Sequence, residues 1–244
     1  MQTLEDKRLS ELIPPHDWEL CRPVVRDVMD AGIPCGLGGG LAFSYYSCRR
    51  RNTKDVDLLV KPQDKDRVIE ILTKHGFEDY FDQESYDRSW LYRGYRDGVI
   101  FDLIWTLPNH RFAVDDDWFR RSKTTNIQGQ DLKLITMEDL IRVKLYVLQR
   151  KRSDWPDIMN LLYQQGANVQ WKTLICLLAD DAPLLGALLQ VYAWVKPEKA
   201  GDIATEVWGM LGMKPPTVEQ IDEDRTFLLD TQDWFGPTEG IATC

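Results

Sequence analysis

Apolar positions over residues 17–31, "DWELCRPVVRDVMDA", recur at helical spacing, which predicts a helix that Gly32 stops. "IPCGLGG" reads as a short extended piece running into glycines, and "GLAFSYYSC" after it as a helix. The β-branched and apolar "DVDLLV", bounded by Lys61-Pro62, predicts a strand. "DKDRVIEILTKHGF" predicts a helix capped near Asp64 and ended at Gly76. "SWLYRGYRDGVIFDLIWTL" reads as two strands joined across Arg96-Asp97-Gly98, an Asp-Gly hairpin signal. The pattern then turns helical. "TMEDLIRVKLYVLQRKR", opened by a Thr136/Asp139 pair resembling a capping box, predicts a strong amphipathic helix, and "DWPDIMNLLYQQG" another with Pro156 in its first turn. Two or three more helices are expected over 168–212 and a loop-rich tail over 213–244. This order gives an α+β chain: a mixed-sheet core with an N-terminal helix (1–135), a helical part (136–212) and an acidic tail (213–244).

At 244 residues and 43% hydrophobic content the chain can bury a sizeable core. No stretch reaches the roughly 18 uninterrupted apolar residues of a membrane span, since "LICLLADDAPLLGALLQVYAWV" is broken by Asp180, Asp181 and Pro183. The N-terminus is charged and helical in pattern, unlike a signal peptide, so a cytoplasmic protein with no membrane partner is the expectation. The five cysteines are scattered without a C-x-x-C pair, which argues against a disulfide framework and a thiolate zinc site, and the three histidines lie far apart. A metal would then be held by carboxylates, which favours magnesium or manganese.

The net charge of −9 is unevenly placed. Residues 197–244 hold ten acids and three bases, whereas 118–152 hold nine bases and three acids. One region is therefore locally basic despite the acidic whole.

On a strand, residues two apart share a face, so Asp55 and Asp57 project side by side. Either they form a solvated strand face, or a divalent cation between them removes their repulsion. Asp102 interrupts "VIFDLIW", a run apolar on both faces and hence a candidate central strand. A carboxylate buried there requires a partner, an arginine such as Arg93 or a metal ion. Gly38, Gly39 and Gly40 allow close approach of the backbone to a ligand, and a helix starting near Leu41 would aim N–H groups at an anion. Neither a Walker loop nor a Rossmann fingerprint fits their spacing.

"GGLA", then "RNTKDVDLLV", then "VIFDLI" resembles the nucleotidyltransferase superfamily with the polymerase-β-like fold. Gly39 and Gly40 match its glycine turn, Asp55 and Asp57 its paired acids, and Asp102 its third acid. The R-x-T-x-D-x-D form at Arg51, Thr53, Asp55 and Asp57 resembles the AbiEii-type toxin branch. "KLYVLQRKRSDWPDI" is similar to that branch's Lys-helix-Arg-Asp-x-x-Asp element, at Lys144, Arg150, Asp154 and Asp157.

The resemblance implies catalytic and metal-binding roles for Asp55, Asp57 and Asp102 with Mg2+ or Mn2+. It implies nucleotide-binding roles for Gly39, Gly40, Arg51, Thr53, Lys144, Arg150, Asp154 and Asp157. A nucleoside triphosphate such as ATP would be the donor, and tRNA or another RNA the acceptor, with an antitoxin protein as a partner. Small-molecule adenylyl transfer and a non-catalytic nucleotide-binding module stay open as alternatives. So does a solvated basic face for Lys144 and Arg150, expected one and a half turns apart on one helix.

Overall fold

The computed structural model describes residues 13–49, 55–217, 225–231 and 234–235. The chain divides into two compact units, one of Met1–Tyr45 with Arg49–Thr136 and the other of Tyr46–Cys48 with Met137–Cys244.

The first unit opens with α1 (Pro15–Asp30), whose apolar stripe Trp18, Cys21, Val24, Val25 and Val28 is buried. Then come β1 (Cys35–Leu37), α2 (Gly39–Ser47) and β2 (Asp55–Val60). After α3 (Lys65–Lys74) and a two-residue β3 (Glu78–Asp79), β4 (Leu91–Arg96) and β5 (Val99–Ile104) form the expected hairpin. Its turn residues Asp97 and Gly98 have φ of 49° and 87°, the double left-handed geometry that Asp-Gly supplies at least cost. A short α4 (Asp116–Arg121) precedes a second hairpin, β6 (Lys123–Ile127) and β7 (Gln130–Leu134).

Among the described residues, seven strands join one mixed sheet in the order β3-β4-β5-β2-β1-β7-β6. Its centre is parallel, β2 beside β5, and both flanks of that pair are antiparallel. α1 and α3 pack on each other and on β5. Val56, Leu58, Phe101 and Leu103 are buried on one face. There Phe77 meets Phe101 edge-on at 5.7 Å, in the space left by Gly94. Alternation leaves Asp55, Asp57 and Asp102 to the opposite face.

The second unit is helical: α5 (Met137–Leu145), α6 (Trp155–Gln165), α7 (Trp171–Leu178), α8 (Ala182–Val195), α9 (Pro197–Ala200) and α10 (Thr205–Met210). α5 packs against α6 and α7 and is buried nearly all round. It ends at Leu145, short of the amphipathic helix expected over 136–152. Glu138 on α5 accepts a hydrogen bond from the Gln170 backbone N–H at 2.7 Å, satisfying a group at the start of α7.

The segment Trp171–Val195 meets the length and composition of a membrane span when two acids are tolerated. The fold breaks it into α7 and α8 at Ala179, with φ of 48°, and at Asp180-Asp181. Cys48 is disulfide-bonded, although the scattered cysteines argued against a disulfide framework. Cys21 and Cys35 are free and buried, and Cys176 is free and exposed.

Candidate active site

Parallel pairing of β2 with β5 sets Asp57 directly opposite Asp102, and antiparallel pairing of β5 with β4 sets Asp102 opposite Arg93. Arg93, Asp102 and Asp57 thus form one row across three strands, with Asp55 two positions from Asp57 on the same face. The glycine turn abuts the end of this row. The Gly38 N–H donates to the Asp57 backbone carbonyl at 3.0 Å, and Gly39 opens α2 with φ of 50°. A Cβ on Gly39 would fall 1.7 Å from Asp57 Oδ2, so only glycine lets that carboxylate lie against the backbone here. The Gly40 N–H points at the same oxygen at 3.4 Å. The helix start, expected near Leu41, lies at Gly39, and one of its amides faces Asp57 itself.

Asp102 is 4% exposed and held by Arg93, whose Nε donates to Oδ1 at 2.7 Å and Nη2 to Oδ2 at 2.6 Å. Of the two partners that burial of Asp102 demanded, the arginine is the one observed. Arg93's pKa is raised, first by its hydrogen bonds to Asp102 and further by the charges of Asp102, Asp55 and Asp57. The guanidinium therefore feels all three carboxylates.

Among the described residues, no group of three or more His, Cys, Asp or Glu is arranged to hold a metal ion. The donor chemistry nevertheless fits a hard divalent cation. Asp55 and Asp57 supply paired oxygens on one face, and Asp102 stands in register beside them with both oxygens turned to Arg93.

Arg51 and Thr53 lie outside the described residues. The other sequence candidates belong to the helical unit. Lys144 is 4% exposed, and its ammonium donates to Asp154 Oδ2 at 2.9 Å and Asp157 Oδ2 at 2.5 Å. Arg152 adds two hydrogen bonds to Asp154, at 2.9 and 3.1 Å. Burial works to raise the Asp154 pKa, but the hydrogen bond from Arg152 and the charge of Lys144 outweigh it, and the pKa is lowered.

Arg150 does not share a helix with Lys144, contrary to expectation. α5 ends at Leu145, and Arg150 sits exposed in a tight loop closed by the Leu148–Ser153 bridge. The chain turns there because the Asp154 N–H bonds back to the Val147 carbonyl at 2.8 Å, bringing Asp154 under Lys144. The basic stretch 118–152 is also less of a surface than its composition suggested. Arg142 and Lys144 are buried, Arg120 pairs with Asp117, and Arg152 pairs with Asp154.

Sequence reading named Arg93 only as one possible partner for Asp102. The signal was in the turn: a two-residue hairpin at Asp97-Gly98 pairs Arg96 with Val99 and, counting outward, Arg93 with Asp102.

Among solved structures, the antibiotic-resistance factor ANT(2'')-Ia in complex with adenylyl-2''-tobramycin is 14% identical, covers 72% of this chain and 98% of its own, and has a TM-score of 0.46. The lincomycin-bound lincosamide adenylyltransferase LnuA is 18% identical, with 59% and 94% covered and a TM-score of 0.42. An antigenic nucleotidyltransferase-like protein from Paracoccidioides brasiliensis is 23% identical, with 71% and 93% covered and a TM-score of 0.39. No curated protein matches the chain. A family model described as an uncharacterised nucleotidyltransferase matches residues 24–180, which takes in the glycine turn, all three aspartates and the Lys144 cluster, and the chain belongs to that nucleotidyltransferase family.

Proposed function

We propose that the chain transfers a nucleoside monophosphate from a nucleoside triphosphate to an acceptor hydroxyl, with magnesium or manganese, at the Asp55, Asp57 and Asp102 face. The observation that carries the reading is the seating of Asp57 against the Gly39-Gly40 turn with Asp102 in register beside it. Asp55, Asp57 and Asp102 would hold the cation. When bound, it neutralises phosphate charge and lowers the pKa of the attacking hydroxyl. The Gly39-Gly40 backbone keeps Asp57 oriented at the start of α2. Asp102 is the carboxylate assigned to the acceptor side, where it takes the hydroxyl proton as the α-phosphate is attacked and pyrophosphate leaves.

Lys144, Asp154 and Asp157 act as scaffold in this reading, because their charges answer one another inside the helical unit. An RNA acceptor such as tRNA, in a cytoplasmic AbiEii-like toxin with an antitoxin partner, rests on the R-x-T-x-D-x-D spacing. The burial of Arg142 and Lys144 removes two cations from the surface such an RNA would use.

The reading is tested by incubating the protein with each α-labelled triphosphate, either ion, and separate RNA, protein and small-molecule fractions. Label should appear on one class with stoichiometric pyrophosphate. No transfer from any triphosphate to any class would overturn it.

Gly39→Ala supplies a second check. The new Cβ collides with Asp57 Oδ2, and the φ of 50° disfavours any side chain. A displacement of the carboxylate by about 1 Å should lower transfer by about 100-fold. A melting curve would verify that the loss exceeds any loss of fold.

A further inference from the structure

Asp102 is assigned to the chemistry, yet both of its oxygens are occupied by the same guanidinium. We propose that Arg93 and a divalent cation are alternative partners of Asp102, so that Arg93 sets how tightly the site takes its metal and ties metal binding to nucleotide binding. The inference rests on the metal-dependent reading above and adds to it a residue outside the three acids.

Four features point this way. A bidentate, charge-assisted pair uses the lone pairs best aimed at a ligand, so Asp102 joins a cation only when at least one of these bonds is given up. Arg93 also feels Asp55 and Asp57, so its positive charge opposes a cation placed at any of the three carboxylates.

The pair is unevenly exposed, the Arg93 and Asp102 side chains at 28% and 6%. The arginine can therefore swing toward solvent while the aspartate stays in the sheet. Its backbone does not depend on the guanidinium: the Arg93 N–H donates to Tyr86 Oη at 3.0 Å, and that hydroxyl donates to Asp79 Oδ1 at 2.8 Å.

A released guanidinium is matched to phosphate as well as to carboxylate, since its planar fork pairs bidentately with either. A nucleoside triphosphate would draw Arg93 off Asp102 and open the carboxylate to the cation in the same event. Metal and nucleotide would then bind with positive coupling, each raising the affinity for the other by the same factor.

The test is a Mn2+ titration of the full chain, followed by electron paramagnetic resonance of the free ion, with and without a non-hydrolysable triphosphate analogue. Without nucleotide, Arg93→Gln should bind Mn2+ at least about 10-fold more tightly than wild type, because a unit positive charge a few ångströms from the ion has been removed. The analogue should tighten Mn2+ binding strongly in wild type and much less in Arg93→Gln. Combining Arg93→Gln with Asp102→Asn should cancel the gain.

Equal or weaker Mn2+ binding by a folded Arg93→Gln would overturn the proposal. If burial of an unanswered Asp102 prevents that variant from folding, Arg93→Lys keeps one charge without the fork, and it should show a smaller gain. No gain there is equally decisive against the proposal. Asp57→Asn separates the two readings: if it binds Mn2+ with the analogue as well as wild type does, metal binding at the three aspartates fails, whatever Arg93 does.

Discussion

Asp57→Asn is expected to abolish detectable nucleotidyl transfer, a loss of about 1,000-fold or more, while the protein keeps its fold. Asp57 is the one acid placed by all three parts of the site: the strand face shared with Asp55, the register with Asp102 and the glycine turn. Asparagine preserves the shape that Gly39 accommodates and keeps an oxygen for the Gly40 N–H. It removes the negative charge, which is the property a metal ligand needs, and positioned electrostatic groups of this kind typically account for 100- to 1,000-fold each, roughly, with metal loss adding to that. Stability should hold or rise slightly, because a like-charge repulsion with Asp55 and Asp102 is relieved. The measurements are pyrophosphate release and a melting curve on the same preparation. Retained transfer would remove Asp57 from the catalytic set, and unfolding at ambient temperature would mark it as structural.

Lys144→Met should do the reverse, costing stability first. Lys144 and Asp154 side chains are each 5% exposed, and the ammonium is the link between Asp154 and Asp157. Removing one partner of a buried pair costs about 3–5 kcal/mol. The low end applies here, because Arg152 still contacts Asp154.

The pH dependence carries the same information. Asp154 has a lowered pKa in the folded state, so its contribution is present above its unfolded value, about 4, and is lost as pH falls through the folded pKa. Without Lys144 the folded pKa rises, and acid unfolding should begin at a higher pH. Denaturant midpoints followed from neutral pH down to about 2, which takes in the loss in both proteins, would show it. A variant as stable as wild type throughout would free Lys144 from its scaffold role and return it to the candidates for triphosphate contact.

What could be read beforehand follows from how local each signal is. "DVDLLV" announces itself by period-two patterning, and the β4–β5 hairpin by Asp97-Gly98, because strand alternation and turn chemistry depend on a few adjacent residues. The β6–β7 hairpin carries no such local signal. "KTTNIQGQDLKL" is largely polar, and its turn at Gln128-Gly129, with φ of 46° and 88°, lacks the favoured Asn or Asp.

The apolar spacing runs on past α5 through Val147 and Leu148, whereas the chain leaves the helix to bring Asp154 beneath Lys144. That ion cluster is a tertiary contact, and no local propensity reports it. The three acids were legible as types and spacing. That Asp102 would be shared with an arginine depended on strand register, which only the turn count discloses.

The Arg93–Asp102 pair lies within one hairpin, nine residues apart along the chain. The most deeply buried charge on the carboxylate face thus receives its counterion from the adjacent strand, joined by a two-residue turn, rather than from a distant segment. Contacts so close in sequence form early at little loop-closure cost. The central strand β5 can therefore assemble in a nascent chain before any divalent ion is bound. On the proposed metal-dependent reading, metal supply would govern when the protein works without deciding whether it matures.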